Sequence, residues 1–369
     1  MITSIITTVS HNIGDDFVRE GILHLLGKLQ PLSSIELIHK HSAATSTVGF
    51  EWLRQRHAGY ALSHVLEWLP LRDRVRSADL LVQSGAPIYW CHPDGPHCSR
   101  SEWFGPLVRR RFLPDRRGRR FLNLAGGSCQ TYHSDGSEVA GCPSCQAYIR
   151  EMFDACDLTL LRDSLARTML NHAGRDAEVL PCTSIFARDR LGIVPQDGEY
   201  IVLNFMEHGG HYSFGQTIDA ERWRESFRAI ARQASSHGRV VVACHTPKES
   251  ELAREVVPDC ERFLIPNDYT AFMNFYARAK FGIVNRVHAG FMMASLGKPV
   301  TVIGSDSRAL MIQNLNLPHH FVADIDPSQA EQLVETTAGR CARYLDEVEA
   351  IRAQSQTRYL ASISAALAA

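Results

Sequence analysis

No apolar run in this chain approaches the ~20 residues that a membrane-spanning helix needs. An excess of charge of one sign is also missing. Lys and Arg total 39 against 40 Asp and Glu, a formal net charge of -1. That balance argues against a general nucleic-acid binder, which would carry a basic surplus. Internal repeats and low-complexity tracts are absent, so a repeat array is not expected. The segment Met1 to Val9 is apolar, but no positive region precedes it and no small-residue cleavage site follows. It reads as a first strand and not as a signal peptide. The ten cysteines are therefore expected as reduced thiols in a cytoplasmic protein.

What is present supports a large core. The 369 residues are 45% hydrophobic and 21% charged, a length and composition suited to two domains. Ile2 to Val9 is β-rich, and Phe17 to Leu29 has apolar residues at helical spacing. Strands are expected at Ile35 to His39, Ala78 to Ser84, Arg120 to Ala125 and Leu158 to Leu161, with helices at Tyr60 to Leu66, Cys145 to Ala155 and from Ser164. Phe186 to Glu199 shows little periodicity, which places a boundary near residue 190. The expected units are thus 1–190 and 191–369. The second has strands at Tyr200 to Phe205, Arg239 to Ala243, Arg262 to Ile265, Lys280 to Val284 and Val300 to Ile303. Its helices are expected at Asp219 to Ser235, Ser250 to Val256 and Tyr269 to Ala279, and over most of the chain from Ser328 onward. Alternating strands and helices in both halves predict an α/β protein with two parallel sheets. Ligands gather beyond the carboxyl ends of such strands. Gly14, Asp15, Ser128, Arg162, His245, Arg286 and His288 all fall there.

The stretch Asn285 to Asp306 is an apolar strand end, Arg286-Val287-His288, an apolar helix, Gly297-Lys298-Pro299 and a second strand. It resembles the C-terminal signature of the polysaccharide pyruvyl transferases. Asn12-Ile13-Gly14-Asp15, Leu161-Arg162-Asp163-Ser164 and Asn267-Asp268-Tyr269 are similar to other segments of that family. Two loops depart from its pattern, Gln83-Ser84-Gly85-Ala86-Pro87 and Gly127-Ser128-Cys129-Gln130. The resemblance implies two Rossmann-like domains facing a cleft, as in the GT-B glycosyltransferases. It also implies phosphoenolpyruvate as donor, a sugar diol of a polysaccharide or lipid-linked glycan as acceptor, and a cyclic pyruvate ketal as product, with no cofactor.

That chemistry asks for guanidinium forks on the donor's two anions and a general acid at its methylene. If residues 285 to 288 are extended, Arg286 and His288 project to one side, and a helix from about Ala289 turns its free N–H groups toward phosphate. Arg162 is the second anion-binding candidate and His245 a further donor contact. Their structural alternatives are an Arg162–Asp163 ion pair, an interdomain salt bridge at Arg286 and hydrogen-bonded histidines. Gly14, Asp15, Ser128 and Gln130 are expected on the acceptor side, with Asp15 alternatively a helix N-cap.

Cys142-Pro143-Ser144-Cys145 is a CxxC, with Cys91, Cys98 and Cys129 in neighbouring loops. A zinc site drawn from this set stands beside a redox pair or plain thiols, and the expectation is no metal. Arg109-Arg110-Arg111 and Arg116-Arg117-Gly118-Arg119-Arg120 suggest an anionic partner such as a lipid-linked glycan or the inner membrane face, or else a solvated loop. The competing functions are a nucleotide-sugar glycosyltransferase, with Asp268 or Asp306 holding a ribose, and a non-catalytic glycan-binding protein.

Overall fold

The computed structural model describes residues 1–9, 12–49, 72–207, 213–340 and 342–369. The helix expected at Tyr60 to Leu66 lies outside them. In the first half the chain runs β1 (Ile2–Thr7), α1 (Ile13–Leu29), β2 (Ser34–His39), β3 (Leu80–Ser84), β4 (Pro87–Tyr89), β5 (Arg120–Ser128), α2 (Pro143–Ala155), β6 (Leu158–Leu161), α3 (Ser164–His172) and β7 (Glu178–Val179). These strands form one parallel sheet in the order β2-β1-β3-β5-β6-β7, with β4 paired to the end of β5.

The second half runs β8 (Tyr200–Asn204), α4 (Ala220–Ser235), β9 (Val240–Ala243), α5 (Pro247–Val256), β10 (Glu261–Phe263), α6 (Tyr269–Ala277), β11 (Ala279–Val284), α7 (Val287–Ser295), β12 (Val300–Gly304) and β13 (His319–Phe321). Its sheet order is β10-β9-β8-β11-β12-β13, again parallel. Counted within the unit this is 3-2-1-4-5-6, the doubly wound order, whose switch point lies between β8 and β11.

Local chemistry explains these elements. α4 begins where Asp219 accepts from Arg222 N at 3.1 Å, and buries Trp223, Phe227, Ile230 and Ala234 along one stripe. The strands bury both faces under helices, so they read as apolar runs and not as alternation. β4, β7 and β13 were not expected from sequence. They have two or three residues each, too few to show a period.

Two helices close the chain, α8 (Ala330–Ala338) and α9 (Ala342–Ala368). α9 returns to the first half: Tyr359 donates to Pro181 O at 3.0 Å, Arg358 pairs with Glu178, and Gln356 meets His24 at 3.3 Å. A division near residue 190 therefore separates the two sheets, while the terminal helix packs on both units. A 3-10 turn, Thr183–Phe186, leads into the segment Phe186 to Glu199 expected to be irregular, which opens with a short α-helix, Ala187–Leu191. The 3-10 turn wedges against α1, where Gly21 lies so close to Thr183 O that a Cβ would sit 1.8 Å from it.

The basic run is part helix and part turn, with Arg116 to Arg119 in the turn before β5. Phe104–Phe112 is a π-helix that ends in Arg109, Arg110 and Arg111. Arg109 pairs with Glu151, Arg111 with Asp73, and both Arg116 and Arg120 with Asp157. Arg119 donates to the carbonyls of Val75, Arg76 and Phe112. Arg110 and Arg117 stay exposed. Three carboxylates thus meet four of the seven arginines, and the run is partly paired within the fold. No helix among the described residues is long and apolar enough to cross a membrane.

Candidate active site

The carboxyl ends of both sheets face one cavity of about 630 Å³. From the first half it is lined by Thr8, Asn12, Gly14, Asp15, Lys40, Cys129 and Arg162, which follow β1, β2, β5 and β6. From the second half come His245, Asn285, Arg286, His288, Asp306 and Arg308, which follow β9, β11 and β12. The structure thus brings together Gly14, Asp15, Arg162, His245, Arg286 and His288, as the sequence placed them.

Arg162 is the unusual member. It is 1% exposed, yet its Nε and Nη1 have no hydrogen-bond partner. The alternative, an ion pair with Asp163, is not made. Asp163 caps α3, accepting from Ala166 N at 2.8 Å, and also accepts from Ser128 N at 2.9 Å and Ser128 Oγ at 2.7 Å. The Arg162 backbone is fixed from both halves, by its N–H to Gly126 O and by Asn314 donating to its carbonyl at 2.8 Å. Gly127 gives the side chain its space, since a Cβ there would lie 2.4 Å from Arg162 Nε. A buried guanidinium with vacant donors is costly to hold unless an anion completes it.

His288 corrects one local expectation. α7 begins at Val287, two residues before Ala289, because Arg286 already has the extended N-cap conformation, φ -86 and ψ 117. His288 is therefore inside the first helical turn and does not share a strand face with Arg286. Its Nδ1 lies over Gly14, where a Cβ would come within 2.5 Å, and its Nε2 is 3.8 Å from Cys182 Sγ. Burial, with further lowering by the nearby Arg162, Arg308 and His245 charges, pushes its pKa down to about 3 against an opposing pull from Asp15. The resting imidazole is neutral at pH 7.

Arg286 makes an ion pair, but within the second half and not between domains. Its Nε donates to Glu249 Oε1 at 3.0 Å, and Nη2 contacts the same oxygen. Its backbone N–H donates to Asn204 Oδ1 at 2.7 Å. Asn285 Oδ1 accepts from Met206 N at 2.8 Å, and its amide donates to Ile303 O. Asn204 and Asn285 thereby tie adjacent strand ends around the switch point. Sequence reasoning assigned neither a role, although an asparagine closing a buried apolar strand is a visible signal.

His245 is buried, meets Tyr276 Oη through Nε2 at 2.6 Å, and has no partner at Nδ1. Burial first, then Arg286, lowers its pKa to about 3, with Glu249 opposing. The sign of the stability effect follows from this depressed folded value. Between about pH 3 and pH 6.5 the unfolded chain binds the proton that the folded chain refuses, so stability falls as pH drops through that window. Parent and His245→Gln should therefore converge, or cross, below pH 6.5, by about 1.4 kcal/mol per pH unit. Urea melts at several pH values measure the difference. Asp16, pushed up to about 6 by burial against Arg19, has the opposite slope and cancels in it. A pH-independent difference would mean that His245 protonates freely in the fold.

Among the residues expected on the acceptor side, Asp15 is not the cap of α1, which is Asn12, accepting from Gly14 N. Asp15 pairs with Lys40 at 3.0 Å. Burial raises its pKa, but the Lys40 charge with hydrogen bonds from Thr8 and Lys40 outweighs this and lowers it to about 2. It stands as an ionised acceptor for a hydroxyl and a weak base. Ser128 and Gln130 are corrected. Both are fully buried and neither lines the cavity. Ser128 is bound to Asp163, while Gln130 brackets Cys91 by accepting from its N–H at 2.9 Å and donating to its carbonyl at 2.8 Å. Asp268 and Asp306 serve as N-caps, and Asp306 also holds Arg308 through bonds of 2.8 and 2.6 Å. Arg308 was missed from sequence because a lone arginine after a strand carries no pattern. Elsewhere, ligating atoms of Cys91, His97, Cys142 and Cys145 lie within 4.8 Å of one another. Cys129 is buried outside this group, and Cys98, also buried, hydrogen-bonds to the Cys145 thiol.

Two parallel doubly wound sheets with a cleft at their carboxyl ends define a GT-B-like protein. The solved structures agree. A candidate UDP-N-acetylglucosamine 2-epimerase from Listeria monocytogenes superposes with TM-score 0.54 at 13% identity, covering 94% of this chain and 90% of that one. The S. aureus MnaA–UDP structure gives 0.52 at 13%, with the same coverage. The Methanocaldococcus jannaschii UDP-GlcNAc 2-epimerase, in complex with UDP-GlcNAc and UDP, gives 0.50 at 10%, covering 96% and 99%. At such identities the likeness is one of fold. No curated protein sequence matches the chain. Residues 12–307 match the family model described as polysaccharide pyruvyl transferase, and the chain belongs to that family.

Proposed function

We propose that this protein transfers the pyruvyl group of phosphoenolpyruvate to two hydroxyls of a glycan acceptor, forming a cyclic ketal. The observation that carries this reading is Arg162, a buried guanidinium whose Nε and Nη1 are without partners in the cavity that also holds Arg286 and His288. A planar fork of this kind matches a carboxylate or phosphate bidentately. The N-terminus of α7 opens on the same cavity through Val287 and His288, with no side-chain cap, and favours negative charge.

In the proposed reaction the dianionic donor phosphate raises the His288 pKa from its resting value, so the imidazole becomes protonated in the complex. His288 gives that proton to the methylene carbon, and C2 becomes electrophilic. The first acceptor hydroxyl bonds to C2 and releases its proton to phosphate oxygen. Phosphate leaves with the C2–O electron pair. The second hydroxyl closes the ring and returns a proton to His288. Asp15, held ionised by Lys40, accepts a hydrogen bond from an acceptor hydroxyl.

Thermal unfolding with phosphoenolpyruvate, UDP, GDP and CMP tests the donor. Selective binding raises stability by about 2.7 kcal/mol at one hundred times the dissociation constant. Phosphoenolpyruvate is expected to raise the melting temperature and the nucleotides to leave it unchanged. A response to UDP or GDP without one to phosphoenolpyruvate would move the protein to the nucleotide-sugar transferases. A response to none would favour a glycan-binding role.

A further inference from the structure

We propose that Cys91, His97, Cys142 and Cys145 form a structural zinc site in the first domain, beside the cavity. Cys91 follows β4 and makes an antiparallel bridge to His97. Cys142 is the N-cap of α2, and Cys145 lies in that helix's first turn behind Pro143. The fold closes these two short hairpin and helix segments onto each other. His97 Nδ1 lies 3.2 Å from Cys142 Sγ, 3.5 Å from Cys145 Sγ and 3.9 Å from Cys91 Sγ. Tetrahedral zinc, with Zn–S about 2.3 Å and Zn–N about 2.0–2.1 Å, sets its donor atoms roughly 3.5–3.8 Å apart.

Each sulfur has a further polar neighbour, Glu138 O at 3.5 Å for Cys91, Ser144 Oγ at 3.3 Å for Cys142 and Trp90 O at 3.8 Å for Cys145, but these contacts do not explain the convergence on His97. Nδ1 of an imidazole carries either one hydrogen or one lone pair, so it can satisfy one thiol, yet three sulfurs converge on it. A Cys142–Cys145 disulfide would leave Cys91 and His97 without a purpose in the group. A divalent ion satisfies all four at once. Three thiolates and one neutral imidazole are a zinc donor set, and four protein ligands make a closed structural site with no position for substrate. The field agrees with this. Zinc with three thiolates has a net charge of about -1, which the free N–H groups at the start of α2 favour.

Gln130 then acquires a reason to be buried. Its side chain clamps the N–H and carbonyl of Cys91, holding one ligand's backbone as outer-shell groups do around metals. The segment after Cys91 supplies Pro96, His97, Arg100, Ser101, Glu102 and Trp103 to the cavity wall. The ion would staple that wall to α2, fixing the shape of the cleft without entering the chemistry.

The test is metal analysis of the full chain purified untagged, reduced and without chelator. About one zinc per chain is expected, lost in Cys142→Ser/Cys145→Ser and kept in Cys260→Ser. If the double variant fails to fold, the parent alone decides. After chelator stripping, cobalt(II) should give the visible ligand-field absorption of a tetrahedral centre and an ultraviolet sulfur-to-cobalt band. Zinc well below stoichiometry with no tetrahedral cobalt spectrum would falsify the site. Equal zinc in parent and double variant would place the metal elsewhere and also overturn it.

Discussion

Arg162→Met should abolish the thermal response to phosphoenolpyruvate while making the ligand-free protein as stable as the parent, or more so. Methionine has a similar reach but no charge. In the parent, Arg162 is buried to 1% with Nε and Nη1 unpaired, so its charge has been taken out of water without matching bonds. Replacing such a charge with an apolar side chain is often neutral or stabilising, whereas removing one partner of a completed pair is strongly destabilising. Each lost bond to a charged group is worth about 1.5–3 kcal/mol, so two together weaken the donor by roughly 10²-fold or more. Arg162→Lys should lie between, since it keeps the charge and loses the fork. Calorimetric donor titration beside urea melts gives both quantities. A Met variant that loses stability and keeps donor binding would show that Arg162 is a structural residue.

His288→Gln should keep much of the donor affinity and lose about 10²- to 10⁴-fold in turnover, the usual cost of removing a general acid. Glutamine preserves a hydrogen bond but transfers no proton at neutral pH. The resting imidazole, with its pKa near 3, is unprotonated at pH 7 because it is packed against Gly14 and feels Arg162. An anionic donor offsets that positive field. The pH dependence of saturated turnover should therefore fall on the alkaline side and report the pKa in the complex, well above the resting value. The Gln variant should lack that limb. Near-parental turnover with the same pH profile would remove His288 from the proton transfer. Weakened binding with normal saturated turnover would leave it a donor contact only.

Much of this architecture was readable from residue order. Alternating apolar strands and amphipathic helices gave two parallel sheets, and the carboxyl-end rule then placed Gly14, Asp15, Arg162, His245, Arg286 and His288 on one side. That rule works because every strand in a parallel sheet points the same way, so a position after a strand is also a position in space. The Arg-x-His motif and the Asn-x-Gly-Asp turn supplied the family on the same linear footing.

Partnership was decided only by tertiary structure, since sequence does not reveal which polar groups meet. Arg286 is engaged by Glu249 and Asp15 by Lys40, pairs separated by 37 and 25 residues. Arg162, whose neighbour Asp163 was its obvious mate, is left open because Asp163 is taken by Ser128 and α3. Gln130 is drawn inward to Cys91, and His97 completes a cluster that cysteine spacing alone left ambiguous. Likewise the arginine run looks like a charged patch along the chain, but Glu151, Asp73 and Asp157 come to it from elsewhere in the fold. Periodicity is local and survives in the sequence. The pairing of buried charges is fixed by long-range packing, and it is this pairing that leaves Nε and Nη1 of Arg162 without partners in the cleft.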